Sequence, residues 1–416
     1  VAALRASQMG ASVAVLEKLD RFAGNTMLSS GSIPAAGTRK QREAGIADSI
    51  ETMIADMDRV AGPHEAGHLT RVLAERSAEL VDWLEDYCGV EIVLHTHYKH
   101  VGHTIPRLHT QPSGRGSQLI ESLARAARRA DIEVLFNNPV RRLLTNDHGQ
   151  VVGAEAGHGQ PYRIDAASII LATNGFGANR QLLDELCPEI AGAPCAPYFG
   201  AQGSEGEAVI WGRELGARFA NLGAYQAHAS VSSPHGELLT WSCAEKGAIY
   251  VNRAGRRFGN ESLGYSGFAA LVMAQGNEAY AVYDASIRDH VAKYQPPYQA
   301  LVEMGAVREA AGPKELAGLH GLDGVALSHT LERYNRAARG EVADEFGRRD
   351  FGLAPLQAPF VITRVNVGNI DRLSDHIKNH RSHKTARGDH HVEIDPSSGV
   401  RWRCSARVWT FVGACR

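Results

Sequence analysis

VAALRASQMGASVAVLEKLDRFAGNTMLSSG, residues Val1–Gly31, decides the fold. Val1–Gly10 reads as the back half of a helix, and Ser12–Lys18, SVAVLEK, as a buried β-strand ending in an acid. In a dinucleotide-binding βαβ unit a strand ending in Glu follows a glycine turn and its helix, and the carboxylate takes a ribose hydroxyl. The helix end, the strand and Glu17 are here, without the preceding strand or a G-x-G-x-x-G turn. The expectation is a chain that begins inside its nucleotide site.

Outward from this stretch, helical spacing of apolar residues marks Asp48–Val60, His68–Tyr87 and Gly116–Ala130. Strands are expected at Glu133–Phe136, Val140–Leu144 and Gln150–Glu155. Ser168–Ala172 is a short apolar run that leads into Thr173-Asn174-Gly175-Phe176-Gly177, the pattern of a buried parallel strand and a glycine turn. A helix is expected at Val209–Gly216, a hairpin over Ala248–Phe258, a strand at Tyr280–Asp284 and a helix at Leu331–Arg339. From Val361 onward no sustained apolar period is found. Instead His376, His380, His383, His390 and His391 sit among eight arginines between Arg364 and Arg416. His380 and His383 form H-x-x-H, but no Cys or acid stands at ligand spacing, so no metal is expected.

Composition sets limits. Hydrophobic residues make up 44% of the 416 and charged residues 22%, ample for a large core in two to three domains. A net charge of −2 gives no case for nucleic acid or a membrane surface. No run approaches the ~18 apolar residues of a membrane span. The six cysteines are scattered without C-x-x-C, which points to reduced thiols in the cytoplasm.

Read in order, short motifs resemble those of the FAD-dependent fumarate reductase and succinate dehydrogenase flavoproteins, a family that includes 3-ketosteroid dehydrogenases. They are Ala23-Gly24-Asn25-Thr26, the run Ser29–Ser49, Ala172-Thr173-Asn174-Gly175-Phe176 and Gly206-Glu207-Ala208. Gln226-Ala227-His228-Ala229-Ser230, the nearly complete signature Gly247–Glu261, Arg333-Tyr334-Asn335 and Asp344–Arg348 follow. The resemblance covers about Val1 to Phe360.

It implies an α/β fold: a discontinuous Rossmann-like FAD-binding domain with an inserted α+β capping domain. The first part would span 1–225, the capping domain 226–353 and the return 354–416. The cofactor would be FAD, held non-covalently, since no histidine precedes the Ser29 stretch where some relatives attach it. Residues implied at the cofactor are Glu17, Lys18, Asn25, Thr26, Ser29, Ser30, Gly31, Val140, Ala172, Thr173, Asn174, Gly175 and Glu207. Asn25 and Thr26 would face the pyrophosphate or ribityl chain, and Ser29–Gly31 would let backbone approach the flat ring.

In this family hydride passes between flavin and a carbon next to a carboxylate or ketone, and a second residue handles the neighbouring proton. His228 matches the histidine that binds the activating oxygen, and Glu261 is implied at the substrate. The proton position, an arginine in fumarate reductases, is Tyr265, within a pattern like the N-E-S-x-x-Y of 3-ketosteroid dehydrogenases. A phenol, with a reference pKa of about 10, needs help to act as a base and less to act as an acid. Gly264 and Gly267 suggest a mobile loop around it. Arg107 is a candidate for the same cavity, against a structural salt bridge.

The family's H-T-x-G-G strand and final glycine-rich helix start are not found after Phe360, which suggests a shifted reading frame near Val361, open edges on the sheet and weak or no FAD binding. The expected function is therefore a flavin-dependent oxidoreductase acting on a C–C bond of an unsaturated acid or ketone, with an unidentified electron donor or acceptor. The alternative is a truncated, inactive member of the family. A nicotinamide-dependent enzyme is disfavoured by the Gly247–Glu261 signature.

Overall fold

A computed structural model describes residues 1–62, 64, 66–100, 102–191, 198–294, 297–370 and 409–412. The chain divides into two compact units.

The first unit comprises Val1–Pro188 and Gly200–Tyr225 together with the strand Trp409–Val412. Its centre is a parallel sheet in the order Glu133–Leu135, Val13–Leu16, Trp409–Val412, Ser168–Leu171. Val13 pairs with Trp409, which pairs in turn with Ser168. The sequence reading expected no last strand after Phe360; Trp409–Val412 nevertheless fills the slot between two strands, and Glu133–Leu135 and Ser168–Leu171 are the outer strands. Leu4, Val81, Leu84, Leu119, Ile120 and Leu123 form one core, joining the helices Ala2–Gln8, Gly67–Asp86 and Gly116–Arg129. Leu16, Val140, Ala154, Ile169 and Trp211 form a second core, under the antiparallel meander Val140–Thr145, Val151–Ala156 and Tyr162–Asp165.

The second unit comprises Glu189–Phe199 and Gln226–Ile370. Its antiparallel sheet runs Gln226–Ser232, Phe360–Ile370, Ala279–Asp284, Ile249–Val251, with Arg308–Ala310 also paired to Phe360–Ile370. The sequence reading ended the pattern at Phe360 and began the return of the flavin-binding part at 354. The structure instead keeps Phe360–Ile370 in this sheet, paired with three other strands, and the second unit runs to Ile370. The signal missed has period two: Val361, Thr363, Val365 and Val367 alternate and are all buried, which a search for helical spacing passes over.

The helix Gly264–Ala274 packs on the strand Gln226–Ser232. Tyr265 stands in its first turn, so the mobile loop expected around it is instead a helix start, with Gly264 at φ +77°. His228 lies opposite Gly368 in the sheet. A Cβ at Gly368 would sit 2.5 Å from Phe199 and 2.6 Å from Val231, so a side chain there would force both neighbours to shift.

Candidate active site

In the first unit, the strand end Leu16–Leu19, with Val140, Thr173, Asn174, Glu207 and Trp211, lines a cleft enclosing about 460 Å³, open solvent included. Glu17 is 2% exposed. Its Oε1 accepts the Leu19 N–H at 3.0 Å. Burial pushes its carboxyl above the usual range, against the Leu19 N–H and the Lys18 charge. Lys18 Nζ donates to Glu205 at 2.8 Å and also to Glu207. Burial opposes the ammonium charge, but the two carboxylates outweigh it and raise the Lys18 pKa.

Three polar atoms of this cleft, Glu17 Oε2, Glu207 Oε2 and Thr173 Oγ1, are buried without a hydrogen-bond partner. Buried acceptors in native proteins have partners, and a nucleotide's sugar hydroxyls are donors of the required kind. The residues present fit FAD.

The loops around the cleft are tied to one another. Asn25 Oδ1 accepts the Ala201 N–H at 2.6 Å, and its Nδ2 donates to Asn174 Oδ1 at 3.3 Å. Asn174 Nδ2 donates onward to Ser204 Oγ at 2.9 Å. The Thr26 carbonyl accepts from Ser29 Oγ at 3.0 Å, and Ser29 Oγ accepts the Gly31 N–H at 3.0 Å. Ser30 Oγ lies 2.9 Å from Ser32 Oγ. Gly31, at φ +66°, has no room for a Cβ, which would stand 2.7 Å from both Gln111 Oε1 and Gly116 Cα. Close packing on the start of the helix Gly116–Arg129 is thus one physical reason for the glycine. Ala172 packs on the first core, and Gly175 is buried in the turn after the strand Ser168–Leu171.

In the second unit, Gln226 and His228 alternate along one strand and so share a face, and a bulge follows between His228 and Val231. The His228 ring stacks on Tyr265 with centroids 4.7 Å apart and planes at 16°. His228 Nδ1 accepts the Ser230 N–H at 3.1 Å, which leaves the imidazole proton on Nε2. Gln226 Nε2 donates to the Tyr265 hydroxyl at 3.0 Å. Ser230 Oγ lies 2.6 Å from Tyr250 OH, and Trp241 stacks on Tyr250 at 5.2 Å and meets His228 edge-on at 6.3 Å. Gln226 and Trp241 were not singled out from the sequence. Gln226 was findable, two residues before His228 on the same strand face.

Two expected substrate residues are corrected. Arg107 is fully buried, with Nε and Nη2 on Asp48 at 2.7 and 2.8 Å and Nη1 on Asp56 at 2.5 Å. Its guanidinium is consumed by internal ion pairs, as the salt-bridge alternative held. Glu261 is likewise buried and accepts from Arg257 at 2.7 Å, from Arg348 at 3.2 Å and from the Tyr250 N–H at 3.1 Å. The five C-terminal histidines lie outside the described residues, as do Cys195, Cys404 and Cys415. Among the described residues no helix is long and apolar enough to cross a membrane.

Known proteins resemble this chain over most of its length. A family model described as FAD binding domain matches residues 1–370. The match crosses Val361, so the residues to Ile370 carry family sequence, against a frame shift at that point. The chain is 32% identical to the NADH:fumarate oxidoreductase of Klebsiella pneumoniae (strain 342) over 374 residues, covering 88% of this chain and 39% of that protein. Among solved structures it is similar to the open conformation of a flavocytochrome c3 fumarate reductase, with a TM-score of 0.70, 27% identity, and 89% of this chain and 64% of the other covered. It shares the fold of the 3-ketosteroid-Δ4-(5α)-dehydrogenase of Rhodococcus jostii RHA1, with a TM-score of 0.71 and 24% identity over 88% of this chain and 81% of the other. The chain thus spans less than half the length of the Klebsiella relative. The α/β fold, the carboxylate-lined cleft and the match over residues 1–370 place this chain in the FAD binding domain family, with FAD as its cofactor.

Proposed function

We propose that this chain serves an FAD-dependent oxidoreductase that moves hydride between FAD and a C–C bond next to a carbonyl or carboxylate. The first unit would be the flavin-binding domain and the second the capping, substrate-binding domain. The observation that carries the reading is the stacked His228–Tyr265 pair, with its neutral Nε2–H tautomer.

FAD, when bound, supplies the hydride donor or acceptor. Glu17 would accept ribose hydroxyls, with Lys18 held in place by Glu205 and Glu207. Asn25, Thr26, Ser29, Ser30, Gly31, Val140, Ala172, Thr173, Asn174, Gly175 and Glu207 would complete the cofactor site. His228 would donate Nε2–H to the activating oxygen, where negative charge builds as the neighbouring carbon gains hydride. Tyr265 would give the adjacent carbon its proton in reduction, or take it in dehydrogenation.

Likeness to fumarate reductases supports an unsaturated acid. Tyr265 supports an unsaturated ketone; the buried arginines Arg257 and Arg348 of the second unit are committed to Glu261 and Asp344. The electron donor or acceptor would be a separate partner. The reduced, buried thiols Cys88, Cys187 and Cys243 favour the cytoplasm.

The test is the visible spectrum of the purified chain with and without added FAD, followed by turnover of fumarate, urocanate, acrylate and 2-cyclohexenone with a reduced viologen dye. Flavin bands and turnover are expected, with Tyr265→Phe losing about 100-fold or more in kcat at an unchanged flavin spectrum. Full turnover in Tyr265→Phe removes Tyr265 from the reading. No flavin binding at all favours the inactive alternative.

A further inference from the structure

We infer that Gln226 is a positioning residue that makes Tyr265 a proton donor: its amide N–H occupies the phenolic oxygen as acceptor, so that the phenol's own proton is presented elsewhere. This rests on the reading that Tyr265 handles the substrate proton, and it favours the reductive direction.

Gln226 is 2% exposed, and its Nε2 stands 3.0 Å from the Tyr265 hydroxyl. Its Oε1 is buried without a hydrogen-bond partner. For a residue that only fills space this arrangement is costly, and a leucine or methionine would avoid it. The useful part of the side chain is the N–H. A hydroxyl has one proton and two lone pairs. With one lone pair taken by Gln226, and the ring fixed by the His228 stack, the proton has a defined direction away from the amide. The same N–H strengthens as the phenol becomes phenolate, so it stabilises the state that follows proton donation.

Among the described residues, the charged and titratable groups on the surrounding elements have partners of their own. Glu261, on the turn before the helix Gly264–Ala274, is held by Arg257 and Arg348. Arg364, on the strand Phe360–Ile370, is held by Glu278. Tyr250, which meets the helix through Phe268, is 2.6 Å from Ser230 Oγ. His228 faces Tyr265 directly, and its Nδ1 is an acceptor.

The test is carried out on the FAD-loaded chain labelled with ¹³Cζ-tyrosine, with the Tyr265 resonance assigned by its loss in Tyr265→Phe. In Gln226→Leu the Tyr265 ¹³Cζ resonance is expected to move from its position in the unaltered chain, because the phenolic oxygen loses a hydrogen-bond donor. Gln226→Met serves where Gln226→Leu fails to fold. An unchanged resonance overturns the inference. On the best substrate of the panel, kcat is expected to fall about tenfold or more with KM within about threefold. A loss carried by KM alone also overturns it. If Tyr265→Phe keeps full turnover while Gln226→Leu still moves the resonance, the hydrogen bond stands and the proposed catalytic role of Tyr265 falls.

Discussion

Buried charges divide into those already matched within the chain and those left with unmet valence. Arg107 and Glu261 belong to the first kind, closed within ion pairs to Asp48 and Asp56 and to Arg257 and Arg348. Glu17 belongs to the second, with one oxygen on the Leu19 N–H and the other without a partner. Glu17→Gln keeps the shape and removes the charge, and is expected to weaken FAD binding about 10- to 100-fold, read by quenching of flavin fluorescence. Burial holds the Glu17 carboxyl above its ordinary pKa, so on acidification it takes up a proton earlier than a free carboxylate does. Sugar hydroxyls donate best to the ionised form, so FAD affinity should fall as pH drops through that raised pKa. In Glu17→Gln this dependence should be lost, and an equal slope in both proteins would contradict the assignment. The sequence identified Glu17 because a strand-end acid is a local signal. It could not tell Arg107 the ligand from Arg107 the ion pair, since Asp48 and Asp56 become its partners only on folding.

At the level of elements, the strand Gln226–Ser232 carries the candidate chemistry on one face, and its pairing with Phe360–Ile370 sets where that face lies. Gly368→Ala, opposite His228, is expected to cost about 1–3 kcal/mol in urea unfolding, because the added methyl meets Phe199 and Val231. A neutral result would mean that the strand yields there more easily than its packing implies. Helices were legible where apolar residues recur at helical spacing: Gly67–Asp86 and Gly116–Arg129 lie within a residue of their expected ends. The motif around His228 was read as chemistry and not as a strand. The helix Gly264–Ala274 was masked by its glycines: Gly264 supplies the left-handed turn that starts it, and Gly267 sits on its exposed side.

For the whole molecule, stability should depend on pH in a definite sense. Burial holds the imidazoles of His109 and His320 below their ordinary value near 6.5. The unfolded chain takes up protons there that the folded chain refuses, so stability is present above about pH 6.5 and declines as pH falls below it. Asp56 and Asp344 are opposed by burial but held low, Asp56 by the Thr104 N–H and Arg107, Asp344 by Arg257. They extend the decline below about pH 4. Glu17, whose pKa is raised, opposes it. Urea midpoints between about pH 7.5 and about pH 5 test this, and a flat profile would contradict it. In the first unit the inner strand Trp409–Val412 is translated about 400 residues after Val13–Leu16, with which it pairs. On the ribosome, the second unit is complete once Ile370 has emerged, whereas the nucleotide-binding sheet must wait with a gap at its centre. During that interval the nascent chain exposes two parallel strand edges to chaperones and to neighbouring chains.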